Sequence, residues 1–147
     1  MKKLAVIGNP IEFSQSPYIH HYFSKLTSIN VEYSKIQVEE SQFYQTVENF
    51  KSSHGHGMNV TVPFKLKAYQ YADKHTELAQ YAKAVNTLLF EPSGTTIGHN
   101  TDGLGLINDI KQNLNWQIDG KKILILGAGG AVRGIIAPLI QENPEQI

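Results

Sequence analysis

Three polar side chains gather within one short stretch, Gly57-Met58-Asn59-Val60-Thr61-Val62-Pro63-Phe64-Lys65. Side chains alternate along a strand, so Asn59 and Thr61 share one face while Val60 and Val62 share the other. Pro63 has no amide hydrogen and cannot continue a central ladder. The strand is therefore expected to stop there, with Lys65 just beyond its end. An amide, a hydroxyl and an amine converging at a strand end suit a small polyol better than an apolar core.

A second chemical signal is Gly127-Ala128-Gly129-Gly130-Ala131, which follows the apolar run Ile123 to Leu126. A strand, a tight glycine turn and a helix start make a dinucleotide phosphate site. The glycines admit the pyrophosphate, and the helix N-terminus favours its charge. The usual spacing is met imperfectly, because the third small residue is either Ala131 or Gly130. An acidic or basic residue that reads the ribose belongs about 20 residues past the first glycine. The sequence stops at Ile147, and only Gln141 to Ile147 follow the helix. One β-α unit of a nucleotide domain is thus expected, in a fragment of a longer protein truncated at its C-terminal side or in an assembly that supplies the missing strands.

Other polar positions have simpler explanations beside the chemical one. Ser16 precedes Pro17, and this pair suits a helix cap and first turn. Ser14 has no such duty. Asn86-Thr87 starts a strand, and an ordinary hydrogen-bonded turn accounts for the pair. Asp102 precedes a helix and can serve as its cap. His54 and His56 form an H-x-H pair with no third ligand at a useful spacing, and His20 and His21 fall on different helix faces, so no metal site is expected. Tyr69, Tyr71 and Tyr81 read as packing residues.

The elements that carry these residues alternate. Leu4 to Ile7 reads as a strand closed by Gly8-Asn9-Pro10. A helix follows from Ser16 to Thr27, then a strand from Val31 to Val38. Ser41 to Phe50 is helical, with Phe43, Val47 and Phe50 on one side. Met58 to Val62 is the third strand. Phe64 to Tyr71 and Thr76 to Ala84 are short helices. Asn86 to Phe90 and Thr95 to Gly98 are strands joined through Ser93-Gly94. A helix from Leu104 to Leu114 then leads to Lys121 to Leu126, a near-continuous apolar run of the kind buried on both faces. Strands alternating with helices predict an α/β fold with a mostly parallel sheet flanked by helices. The domain boundary is expected near Asp102, dividing residues 1–102 from residues 103–147, a linker helix and a partial dinucleotide domain.

Composition narrows the classes. The chain has 147 residues, 41% of them hydrophobic, with 13 basic and 13 acidic residues. That balance gives no basic surplus for nucleic acid or a membrane surface. With no cysteine, a disulfide framework and a thiolate metal site are excluded. No apolar run reaches the ~20 residues of a membrane span. A soluble, cytoplasmic protein with a small-molecule substrate is expected, as a monomer or homodimer.

Taken together, these segments resemble shikimate dehydrogenase. The residues that carry the likeness are Gly8-Asn9-Pro10-Ile11, Ser14-Gln15-Ser16-Pro17, Asn59 to Lys65 and Ala84-Val85-Asn86-Thr87. Gly98-His99-Asn100-Thr101-Asp102-Gly103 and Gly127 to Ala131 complete the set, in the family's order and over nearly the whole chain. The resemblance implies reversible, NADPH-dependent reduction of 3-dehydroshikimate to shikimate, in aromatic amino-acid biosynthesis. It implies that Ser14 and Ser16 hydrogen-bond the substrate carboxylate and that Asn59, Thr61, Asn86 and Asp102 hold its hydroxyls. Lys65 would be the catalytic residue, paired with Asp102, and Gly127, Ala128, Gly129, Gly130 and Ala131 would bind NADP. Phe13 stands where the family commonly has histidine and His21 where it has asparagine, and neither position is assigned to chemistry. A quinate/shikimate dehydrogenase using NAD and a module that binds shikimate without reducing it stay open. The fragment alone is expected to bind substrate and to lack turnover.

Overall fold

A computed structural model of the chain describes residues 1–147. Six strands form one sheet: β1 (Lys2–Gly8), β2 (Val31–Gln37), β3 (Gly55–Val60), β4 (Lys74–His75), β5 (Thr87–Phe90) and β6 (Thr96–His99), in the order β2-β1-β3-β5-β6-β4. The pairs β1–β2, β1–β3 and β4–β6 are parallel, and β3–β5 and β5–β6 are antiparallel. The helices are α1 (Ser16–Thr27), α2 (Phe43–Ser52), α3 (Lys65–Tyr71), α4 (Glu77–Ala82), α5 (Asp102–Asn108) and α6 (Gly130–Gln141). This is the α/β architecture expected, with parallel pairings in the majority.

The alternation of the strands divides their side chains between two faces. Ala5 and Ile7 of β1, Met58 and Val60 of β3, and Leu88 and Phe90 of β5 enter the main core. Phe43, Val47 and Phe50 of α2 meet them there, as the helical spacing predicts. Phe43 and Phe64 stack with ring centroids 4.9 Å apart, both fully buried. Phe64 thereby pins the turn between β3 and α3. The other face carries a row across the sheet. Val6 pairs with Asn59, Asn59 with Thr87, and Thr87 with His99. The polar members of that row come from three strands.

Several boundaries depart from the sequence reading. β3 ends at Val60, and Thr61 accepts the Phe64 amide at 2.9 Å in a turn. Val62 lies beyond the strand and is exposed, so it does not share the burial of Val60. The α-helical part of the Leu104 to Leu114 segment ends at Asn108, and a wider π turn spans Asp109–Asn113. The short β4, unmarked in the sequence, adds an edge strand beside β6.

The largest correction concerns Lys121 to Leu126. It forms no ladder, only a parallel bridge between Lys122 and Gln146, with the Ile123 amide donating to the Gln146 carbonyl at 2.9 Å. Leu124 and Leu126 are 84% and 86% exposed. A strand is buried on both faces only where a layer covers each; here Ile123 and Ile125 pack on a small core while nothing covers Leu124 and Leu126. Ile107, Ile118 and Leu139 make a separate small core beneath it.

α6 joins this second core to the first by close backbone approach. A Cβ at Gly134 would lie 2.7 Å from the Asn100 side-chain oxygen, and one at Gly103 would lie 2.4 Å from Pro138. Asn100 is buried and cannot swing aside, because its amide nitrogen donates to the Ala84 carbonyl at 3.0 Å and its oxygen accepts the Asp102 amide at 3.1 Å. Gly134→Ala is expected to cost ~1–3 kcal/mol by overpacking. Gly105→Ala, where a Cβ meets nothing within 4 Å on α5, is expected to add ~0.5–1 kcal/mol. Urea unfolding of the two variants measures the contrast, and equal midpoints would refute the close-packing account.

Candidate active site

Two helix starts face each other across the end of the sheet. Lys65 is the first residue of α3, and Asp102 is the first residue of α5. Lys65 Nζ donates to Asp102 Oδ2 at 2.6 Å, with the two side chains 15% and 21% exposed. The start of a helix carries partial positive charge, which favours the Asp102 carboxylate and disfavours an ammonium. Gly130, the first residue of α6, also abuts Lys65, its Cβ direction ending 3.4 Å from Lys65 Cβ. The Lys65 ammonium therefore depends on the Asp102 carboxylate for its compensation. Asp102 does not cap α5 as the sequence allowed, for Thr101 occupies the cap position and the carboxylate is free for side chains.

Around this pair lies a cavity of about 270 Å³ lined by Ser16, His20, Asn59, Thr61, Lys65, Asn86 and Asp102, with Val6, Ile19 and Val60 as its apolar wall. Of the seven residues expected to hold the substrate, six are here, and the seventh, Ser14, reaches the cavity through Ser16. The Ser14 hydroxyl donates to Ser16 Oγ at 3.1 Å and accepts the Ser16 amide at 3.3 Å. Ser16 is the first residue of α1 and caps nothing, because the cap position falls on Gln15. Its hydroxyl is left for the cavity. Asn86 Nδ2 donates to Asp102 Oδ1 at 2.8 Å, and Asn86 Oδ1 accepts the Thr101 amide at 3.1 Å.

The structure adds Tyr33, and it adds His20, which the sequence reading weighed only as a metal ligand. His20 lies one helical turn beyond Ser16, and the i to i+4 spacing marks the shared face. Its ring stacks on Tyr33 with centroids 4.1 Å apart. Burial lowers the His20 pKa below its usual value, against a raising contact with Asn59. The Tyr33 hydroxyl donates to Asn59 Oδ1 at 2.6 Å. Burial pushes the Tyr33 pKa up to about 12, with the Ser16 hydroxyl acting in the opposite direction. Tyr33 comes from the edge strand β2, and no local pattern ties it to Asn59.

The glycine loop adjoins the same place. Gly127 has φ +117°, a conformation that disfavours any side chain. A Cβ at Gly129 would meet nothing within 4 Å, so the loop is open to a ligand. No side chain caps the first turn of α6, which leaves backbone amides facing outward. These features fit a pyrophosphate at a helix start. A larger groove, about 860 Å³, is lined mainly by apolar residues such as Trp116, Ile123 and Ile125. It offers no acid, histidine or hydroxyl, so the smaller polar cavity is the better candidate for chemistry. No three His, Asp or Glu side chains gather as a metal site would require, and no helix is long and apolar enough to cross a membrane.

The family described as shikimate dehydrogenase substrate binding domain matches residues 6–88. The chain is 48% identical over 145 residues to the NADP(+) shikimate dehydrogenase of Nitrosomonas europaea, covering 99% of this chain and 52% of that protein. It superposes on the crystal structure of shikimate dehydrogenase from Aquifex aeolicus with a TM-score of 0.92 at 33% identity, covering 99% of this chain and 54% of that one. A Thermus thermophilus shikimate 5-dehydrogenase solved with NADP(H) and shikimate gives a TM-score of 0.90 at 29% identity, covering 99% and 54%. The chain thus spans about half the length of the relatives it matches.

The environment of Tyr33 has a measurable consequence. Its folded pKa of about 12 lies above the ordinary tyrosine value of 10.0. The neutral phenol is favoured by folding, so this stabilisation is complete below pH ~10 and lost as pH rises toward ~12. Tyr71 is shifted upward too, first by burial and then by Glu48. Stability measured by urea unfolding is expected to fall across that window, and less steeply in Tyr33→Phe. An equally steep fall in the variant would show that Tyr33 is not in the buried, bonded environment described.

Proposed function

The chain belongs to the shikimate dehydrogenase substrate-binding domain family, and from that membership we propose that it supplies the substrate half of an NADP-dependent reductase that interconverts 3-dehydroshikimate and shikimate. The observation that carries the reading is the Lys65 ammonium, held at 2.6 Å by Asp102 in the wall of a hydroxyl- and amide-lined cavity. The substrate domain comprises residues 1–102, and residues 103–147 are a linker helix with the opening of the dinucleotide domain. The separate small core of Ile107, Ile118 and Leu139 supports that division.

In this mechanism Ser14 and Ser16 take the substrate carboxylate, with their hydroxyls already linked. Asn59, Thr61, Asn86 and Asp102 bind the ring hydroxyls. Gly127, Ala128, Gly129, Gly130 and Ala131 would hold NADPH, whose chemistry there would be to supply a hydride to the carbonyl carbon. Lys65 stands beside the carbonyl oxygen, stabilises the negative charge that develops there and gives it a proton. The carbonyl then becomes a secondary alcohol, and Lys65 regains its proton from solvent. In the reverse direction the neutral amine accepts the hydroxyl proton. Asp102 keeps the ammonium aimed at that oxygen. The contact between Gly130 and Lys65 supports this pairing of proton donor and cofactor.

A biosynthetic reaction on a small polar acid suits the cytoplasm. One copy of the chain supplies every side chain named for the substrate, which suits a monomer and is equally compatible with a homodimer.

Calorimetric titration of the chain with shikimate is expected to show saturable, one-to-one binding. In a protein of the relatives' full length, Lys65→Ala is expected to lower kcat ~10²–10⁴-fold, the usual worth of a positioned proton donor, with a much smaller change in KM. Unchanged turnover in that variant would remove Lys65 from the mechanism, and absence of shikimate binding would remove the substrate assignment.

A further inference from the structure

One continuous line of hydrogen bonds runs along the cavity wall. The Tyr33 hydroxyl bonds Asn59 Oδ1 at 2.6 Å, and Asn59 Nδ2 bonds Thr87 Oγ1 at 3.1 Å. Thr87 Oγ1 bonds Asn86 Oδ1 at 3.0 Å, and Asn86 Nδ2 bonds Asp102 Oδ1 at 2.8 Å. Asp102 Oδ2 closes the line on Lys65 at 2.6 Å. Side-chain amides carry a donor end and an acceptor end of nearly equal size, so which way each points must follow from its partners.

Here the partners decide every link. An ionised Asp102 only accepts, so Asn86 must turn its NH₂ toward it. The Thr101 backbone amide only donates, and it meets the other end of Asn86 at 3.1 Å. Asn86 is therefore fixed from both sides, with its oxygen toward Thr87. The Thr87 hydroxyl has one proton and must spend it on that oxygen. Toward Asn59 it can only accept, so Asn59 presents its NH₂ to Thr87 and its oxygen to Tyr33. Tyr33 can donate or accept and imposes nothing by itself. Thr87 is the link through which the charge of Asp102 dictates the orientation of Asn59.

The geometry that places Thr87 there is the strand register. Asn59 and Thr87 are direct partners in the antiparallel pair of β3 and β5, so their side chains lie close on one face. Each of the five hydrogen bonds of the line is 3.1 Å or shorter. Thr87 itself does not line the cavity, whereas Asn59 and Asn86 do.

We propose that Thr87 is a positioning residue for the substrate site: its hydroxyl sets both flanking asparagine amides in one orientation, so that Asn59 offers the ligand a fixed donor and a fixed acceptor. The inference rests on reading the cavity as the shikimate site. Loss of the hydroxyl frees Asn59 to rotate, and a ring hydroxyl then meets either end of the amide.

The test compares Thr87→Val, which keeps shape and strand preference but removes the hydroxyl, with Thr87→Ser, which restores it. In the unliganded chain, the ¹⁵N side-chain resonances of Asn59 and Asn86 are expected to move in Thr87→Val and to return in Thr87→Ser. Shikimate affinity by calorimetry is expected to fall roughly tenfold in Thr87→Val, the scale of a lost buried hydrogen bond, and to recover to within about threefold in Thr87→Ser. A general loss of structure would not be restored by a smaller hydroxyl side chain. Asparagine resonances and affinities that are the same in Thr87→Val as in the parent chain would overturn the proposal. If the parent chain takes up no shikimate, the substrate reading fails instead, and the unliganded resonances alone decide the role of Thr87.

Discussion

The ion pair of Lys65 and Asp102 is the contact on which the site depends. The two residues are 37 positions apart and open different helices. Three helix starts, of α3, α5 and α6, meet at the Lys65 side chain, and each brings partial positive charge to the same corner. The carboxylate offsets that charge. Breaking a pair that is mostly shielded from water leaves one partner uncompensated, and that cost exceeds the net gain from forming it. The pair is thus better understood as a constraint on geometry than as a source of stability.

Its surroundings hold the carboxylate in place from behind. Asn100 accepts the Asp102 amide while donating to Ala84, and Gly134 lets α6 press directly on Asn100. The same contact that orders Asp102 therefore fixes how closely α6 approaches. That approach carries the glycine loop to Lys65. The cavity side chains and the proposed cofactor loop are coupled by packing through one buried asparagine, with no flexible segment between Asn100 and the carboxylate it orders.

Much of this could be read from residue types. The alternation of β1, β3 and β5 and the Phe43, Val47 and Phe50 stripe marked the core correctly, because burial of a face depends mostly on periodicity. Asn59, Thr61, Lys65, Asn86 and Asp102 were identifiable as polar groups at element ends, and all five line the cavity. Ser16 was misjudged as a helix cap: local preference favours serine there, but the helix starts one residue earlier than that assignment requires, so the cap position falls on Gln15. The apolar run from Lys121 to Leu126 predicted a buried strand, yet its sides are largely exposed. Apolar character states what a segment can pair with and cannot supply the partner.

By itself the sequence determined the inventory: which segments alternate, which ends carry amides, hydroxyls and charges, and where glycines permit a phosphate. These follow from local rules with a reach of a few residues. Tertiary structure decided how the inventory is wired. Tyr33 meets Asn59 across β1, Thr87 joins Asn59 to Asn86 through antiparallel register, and Lys65 finds Asp102 across the end of the sheet. The direction of each of these hydrogen bonds traces back to one carboxylate. No residue spacing encodes that direction, because an asparagine has the same sequence symbol whichever way its amide points.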